Sequence, residues 1–169
     1  VGPDQFIATA ERAGLIDKLS DWVLNQAIYE AKSMTQVRPD FSVAINLSAT
    51  QLARKDIHDV ITSALDANSL PAENVIIELT ESILANKSVV ECLHELKRGG
   101  VRVAIDDFGT GYSSLAYVQQ LPVGIVKVDR AFLEGLQPDG TGAPILSAAV
   151  AMAQALNMST TVEGIETAE

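Results

Sequence analysis

Apolar positions along the chain switch between two spacings, and the switches divide it into alternating elements. Between residues 15 and 33, Leu15, Leu19, Trp22, Val23, Gln26 and Ala27 recur three or four apart. That spacing predicts a helix, with Trp22 as a core anchor. A Pro-containing turn ends at Asp40, and Phe41-Ser-Val-Ala-Ile-Asn46 then reads as a buried strand. Runs of the same kind follow at 75–80, 101–106, 124–129 and 159–163. Helical stretches at 56–67, 86–97, 114–120 and 144–156 lie between them, and a further helix starts near Glu166. Pro71, Gly99-Gly100 and Pro122 supply the breaks.

Strand and helix in alternation with short turns mean parallel strands joined by crossovers. The strands are nearly unbroken apolar runs, as expected where both sheet faces are covered. Two architectures fit, an open doubly wound sheet and a (β/α) barrel. Five units in 169 residues is the density of a barrel, but a closed eight-unit barrel needs ~250 residues. The second architecture is therefore a partial (β/α)8 TIM-type barrel with about five parallel strands. The chain stops at Thr167-Ala-Glu169 as a helix begins, which reads as a truncation.

Composition narrows the class. The chain is 47% hydrophobic and 20% charged, with mean hydropathy +0.18, which suits one compact domain with its own core. No apolar run approaches the ~18 residues of a membrane span, and no signal peptide opens the chain. The expected location is the cytoplasm, with a membrane anchor left open for a longer parent and no membrane contact by this segment. Twelve basic residues face twenty-two acidic ones, for a net charge of −10. That excludes the basic stripe of a nucleic-acid polymer groove, but not a small anionic ligand, because a bound divalent metal reverses the local field. Most of the acids read as ordinary solubilising surface. Cys92 is the only cysteine, so it makes no disulfide or zinc cluster and packs as a small apolar group. His58 and His94 fall in helical patterns and read as helix-surface residues.

The chemistry lies at the carboxyl ends of the strands. They carry, in order, Asn46; Glu78, with Glu81 just beyond; Asp106-Asp107; Lys127 and Asp129; and Glu163, followed by Glu166. Parallel strands bring these groups to one rim, where barrels and open sheets both bind ligands. Asp129 taken alone reads equally well as a helix cap. Several carboxylates on one rim need a positive partner, and Lys127 is a single charge. Mg²⁺ or Mn²⁺ suits carboxylates plus an Asn carbonyl oxygen. The Asp106-Asp107 pair suits two ions ~3.5–4 Å apart. Adjacent strand residues point to opposite faces, so both aspartates reach one site only where the strand ends or bulges. Gly109, Thr110, Gly111, Tyr112 and Ser113 follow directly and read as a gating loop. They match neither nucleotide-binding glycine motif.

These blocks carry a resemblance. Ile45-Asn-Leu-Ser48, Glu78-Leu-Thr-Glu81, Asp106-Asp-Phe-Gly-Thr-Gly-Tyr-Ser-Ser-Leu115, Val126-Lys-Val-Asp129 and Val162-Glu-Gly-Ile-Glu-Thr167 resemble, in order, the blocks of the Glu-Ala-Leu-type (EAL-domain) cyclic di-GMP phosphodiesterases. Phe6-Ile-Ala-Thr-Ala-Glu-Arg-Ala-Gly-Leu15 is similar to the segment that follows the name-giving motif. The resemblance implies a (β/α)8 barrel with one antiparallel strand. It implies hydrolysis of one phosphodiester bond of cyclic di-GMP to the linear dinucleotide pGpG, with two Mg²⁺ or Mn²⁺ ions. Asn46, Glu78 and Asp106 would be metal ligands, and Asp107 would serve the second metal. Lys127 would position or polarise the attacking water or the phosphate. Glu163 would act as ligand or base, and Glu81 would brace the 109–114 loop.

The Glu-Ala-Leu motif and the last strand are absent, and Val162 replaces a common alanine. The expected organisation is one domain over 1–169, truncated at both ends, with the activity of the truncated chain left open. A non-catalytic cyclic di-GMP receptor and an interaction or dimerisation barrel are the alternatives, the latter as a homodimer through residues 109–114. Receptors of this fold often lose ligands, whereas here every such position that falls within the span is filled, which favours the enzyme. Outside the resemblance, the fallback is another Mg²⁺-dependent barrel enzyme acting on a phosphorylated or enolisable substrate.

Overall fold

The computed structural model describes residues 2–81, 83, 86–108, 118–133 and 144–165. Its strands are β1 (Val43–Asn46), β2 (Val75–Thr80), β3 (Arg102–Phe108), β4 (Ile125–Val128) and β5 (Ser159–Val162). Its helices are α1 (Pro3–Arg12), α2 (Ile16–Val37), α3 (Ala49–Leu52), α4 (Ile57–Asn68), α5 (Lys87–Arg98) and α6 (Pro144–Ala155). Short 3₁₀ turns cover Ala72–Asn74 and Arg130–Leu133. The periodic segments thus become the expected elements within a few residues. The sequence reading contains neither α1 nor α3. The helix expected at 114–120 and the one near Glu166 lie outside the described residues, Val118 to Gln120 excepted.

Local chemistry sets the ends. Ser48 and Gln51 form a reciprocal cap at α3: Gln51 N–H donates to Ser48 Oγ, and Ser48 N–H donates to Gln51 Oε1 at 2.7 Å. Asn86 caps α5 by accepting from Ser88 N–H at 3.0 Å. Gly100, with φ +95°, ends α5 where a side chain would be strained.

All four strand pairs are parallel, in the order β1-β2-β3-β4-β5. That order decides between the two architectures. A doubly wound sheet reverses direction at a switch point, whereas sequential neighbours with crossovers of one hand form an arc of a barrel. The strands' helix-facing side is the core: Val75, Ile77, Ile105, Val126 and Val128 are fully buried, as are Leu24, Ile28, Ile61 and Leu93 from the helices. Alternation sends Asn46, Glu78, Asp106 and Lys127 to the other face. That face is only partly covered: Ala44, Asn46, Arg102 and Thr161 are exposed.

Trp22 departs from expectation. It is 63% exposed rather than a core anchor. The buried stripe of α2 is Leu24, Ile28 and Ala31, and a residue two positions from Leu24 sits about 200° around the helix. Trp22 instead lines an apolar cavity of about 560 Å³ with Phe6, Ile7, Val23, Ile45 and Leu79. Cys92 is half-buried against the core, and its burial raises the thiol's pKa. His94 is exposed on α5, and His58 lies beside Asp59 on α4. No helix among the described residues is long and apolar enough to cross a membrane.

Candidate active site at the carboxyl ends of the strands

The rim expected from the strand ends is present, and Lys127 is its hub. From β4, Lys127 Nζ lies 2.9 Å from Glu78 Oε2, 3.1 Å from Asp106 Oδ1 and 2.6 Å from Glu163 Oε1. Asn46 ends β1 opposite Glu78 and donates from Nδ2 to Glu78 Oε2 at 3.4 Å. Strands β1 to β5 therefore each deliver one group to a single cluster. Burial of Lys127 acts against its charge, but the hydrogen bonds it donates to Glu163, Glu78 and Asp106 outweigh this and raise its pKa above the ordinary lysine value.

The backbone explains how two adjacent aspartates reach one place. Ile105 pairs with Val126 and Phe108 with Val128, so Asp106 and Asp107 together oppose Lys127. This is the bulge that the sequence required. Asp107 takes φ +52°, a left-handed conformation that Asp tolerates better than most residues. Its N–H donates to Asp106 Oδ1 at 3.1 Å. Burial first, then the charges of Asp106, Asp129 and Glu163, push the Asp107 carboxyl up, while Lys127 opposes them.

Asp129 acts as a cap: its Oδ1 accepts from Ala131 N–H at 2.7 Å, at the start of the 3₁₀ turn. Glu81 is buried directly after β2. Gly109, Thr110, Gly111, Tyr112, Ser113 and Glu166 lie outside the described residues. The sequence reading does not single out Arg130 or Gly164, which meet beside Glu163. A glycine directly after an acidic strand end is the signal available for such a close approach.

The sequence treats Lys127 as a charge unable to offset the rim. In the structure it bridges three carboxylates, leaving two negative charges from three carboxylates and one ammonium. Asp107 adds a further acid beside them. Among the described residues no three His, Cys, Asp or Glu side chains close on one point as a ready cage. The nearest approach is through Lys127. The donor set is all oxygen with an excess of negative charge, and it fits a hard divalent cation.

A sequential parallel barrel arc with an acidic, lysine-centred rim at its strand ends puts its polar groups where (β/α) barrels build their active sites. The EAL domain profile matches residues 1–169, and the chain belongs to that family. It is 40% identical over 171 residues to the bifunctional diguanylate cyclase/cyclic di-GMP phosphodiesterase MucR of Pseudomonas aeruginosa, covering 99% of this chain and 25% of that protein. It is 39% identical over 170 residues to the cyclic di-GMP phosphodiesterase NbdA of the same species, covering 99% of this chain and 22% of that one. The solved MucR phosphodiesterase in complex with c-di-GMP superposes with a TM-score of 0.89 at 38% identity, covering 99% of this chain and 69% of that one. The chain thus spans a quarter or less of the length of these two curated relatives.

Proposed function

We propose that this domain hydrolyses one phosphodiester bond of cyclic di-GMP, giving the linear dinucleotide pGpG. The observation that carries the reading is the convergence of Glu78, Asp106 and Glu163 on Lys127, with Asn46 joined to the cluster through Glu78. The similarity to MucR and NbdA supports the substrate class. Asn46, Glu78 and Asp106 would hold a divalent metal, Mg²⁺ or Mn²⁺, with Asp107 serving a second ion. Such metals supply Lewis-acid stabilisation of charge on a phosphoryl oxygen and raise the acidity of water.

The chain's own groups do the rest. Lys127 keeps its proton, as its three carboxylate partners require. It can therefore stabilise negative charge developing on the phosphate, or orient the attacking water. Glu163 is the most exposed of the three, at 39% against 10% for Glu78 and 18% for Asp106. That exposure suits a group that meets solvent or substrate, as ligand or as base. Glu78 and Asp106, the more buried pair, hold Lys127 in place.

The test is incubation of the protein carrying this sequence with cyclic di-GMP and Mn²⁺ or Mg²⁺, with chromatographic detection of pGpG. Glu78→Ala and Asp106→Ala should each abolish product while leaving the circular dichroism spectrum unchanged. Near-normal turnover in either variant would overturn the site assignment. Saturable nucleotide binding with no linear product would make the cluster a receptor site instead.

A further inference from the structure

The turn after β4 reaches across to the end of β5. Asp129 organises that turn: Ala131 N–H donates to its carboxylate at 2.7 Å, and Phe132 N–H donates to its carbonyl at 3.0 Å. Arg130 opens the turn, and its stem lies against Gly164. A Cβ on Gly164 would stand 2.6 Å from Arg130 Cβ, 2.9 Å from Cγ and 2.8 Å from Cδ. Carbon atoms in contact prefer ~3.5–4.0 Å, so position 164 has no room for a side chain. Gly164 also has φ +76°, a backbone conformation that side chains disfavour.

Glu163 directly precedes this contact. Its N–H donates to the Val128 carbonyl at 3.1 Å, and its carboxylate lies 2.6 Å from Lys127. It is the least buried of the three carboxylates on Lys127, so packing of its own side chain does least to hold it. Beyond its bond to Lys127, the restraint comes from contacts to the flanking backbone: the Val128 carbonyl on the Glu163 N–H and the Arg130 stem on Gly164.

We propose that Arg130 and Gly164 form a clasp between the ends of β4 and β5 that positions Glu163 against Lys127. Both are positioning residues, since their effect passes through Glu163. The consequence for turnover rests on the hydrolytic reading above; the clasp itself rests on the contact. The glycine is needed because the Arg130 stem fills the space a methyl group would take. Losing the stem should release the same segment as surely as crowding it.

The experiment compares Gly164→Ala, Arg130→Gly and the double variant in the protein carrying this sequence. Two readouts are taken: kcat and KM for cyclic di-GMP with Mn²⁺, and amide hydrogen exchange at Glu163. Gly164→Ala should lower kcat at least about tenfold, because small misplacements at a reacting centre are costly. KM should stay within about twofold, since uniform binding is untouched. Exchange at the Glu163 amide should speed up about tenfold as its bond to Val128 loosens. In the Arg130→Gly background, where the stem is gone, the further cost of Gly164→Ala should fall clearly below its cost alone. Equal costs in both backgrounds would overturn the clasp, because strain at residue 164 alone would then carry the effect. Unchanged kcat and exchange in Gly164→Ala would overturn it too. Should Gly164→Ala fail to fold, Arg130→Gly decides, and unchanged kcat with unchanged exchange in that variant overturns the proposal. Should the unsubstituted protein make no pGpG, the hydrolytic reading falls while the exchange rates still decide the clasp.

Discussion

Replacing Lys127 with methionine tests the hub of the site. Methionine keeps much of the length and removes the charge. Lys127 is 13% exposed and contacts three carboxylate oxygens within 3.1 Å. Removing one partner of a buried ion pair costs about 3–5 kcal/mol, because the other charge is left uncompensated. Glu78 and Asp106 are that buried partner here, at 10% and 18% exposed; Glu163 is open enough for water to screen it. The low end of the range, about 3 kcal/mol, is therefore expected. For a chain of this size that corresponds to a fall in Tm of roughly 6–12 °C. The assay is thermal or urea unfolding in the presence of a chelator, where the ammonium alone offsets the acids. Glu78→Gln and the double variant complete a cycle: with Lys127 gone, neutralising Glu78 should recover stability. A Tm within about 1 °C of the unsubstituted protein, or additive effects in the cycle, would refute the hub.

Three further outcomes follow from the packing. Arg54→Met should lower Tm near neutral pH, because Arg54 ties Asp21 on α2 to Asp56 ahead of α4, at distances down to 2.7 Å. The Arg54 hydrogen bond lowers the pKa of Asp56, so that stability is present above the ordinary carboxylate range and is lost as pH falls through the lowered value; the difference between the two proteins should shrink in acid, and a pH-independent gap would contradict this. Ile77→Ala opens a hole in the fully buried helix-facing layer and should cost about 2–5 kcal/mol, read as a lower urea midpoint at unchanged slope. Trp22, the only tryptophan, should show red-shifted emission and free quenching by acrylamide, since it is 63% exposed; blue-shifted, protected emission would show that face to be covered.

The candidate site was legible earlier than its geometry. Asn46, Glu78, Asp106, Lys127 and Glu163 could be picked out because each ends an apolar run, and parallel strands send such ends to one side. The need for a bulge at Asp106-Asp107 was also visible, since alternation forbids two neighbours from sharing a face. The charge balance at Lys127 is legible from the sequence, but counting charges says nothing about reach. One ammonium does not neutralise many acids, and only the fold shows its Nζ within 3.1 Å of three of them. Trp22 shows the same limit of local pattern. Periodicity marks an apolar side of a helix without saying which part of it the neighbours cover, and the core selects Leu24, Ile28 and Ala31.

Local pattern by itself determined the type and order of the elements apart from α1 and α3, the parallel class, and the residues at each strand end. Those properties follow from backbone periods and turn chemistry, which act within a few residues. Only the tertiary structure decided that the strands run β1 to β5 in sequence as a barrel arc, that Lys127 joins four strands, and that Arg130 meets Gly164 beside Glu163. These depend on contacts between residues 34 to 49 positions apart along the chain in the cases of Gly164 and Glu78. Such contacts are set by how whole elements pack, and no local period encodes them.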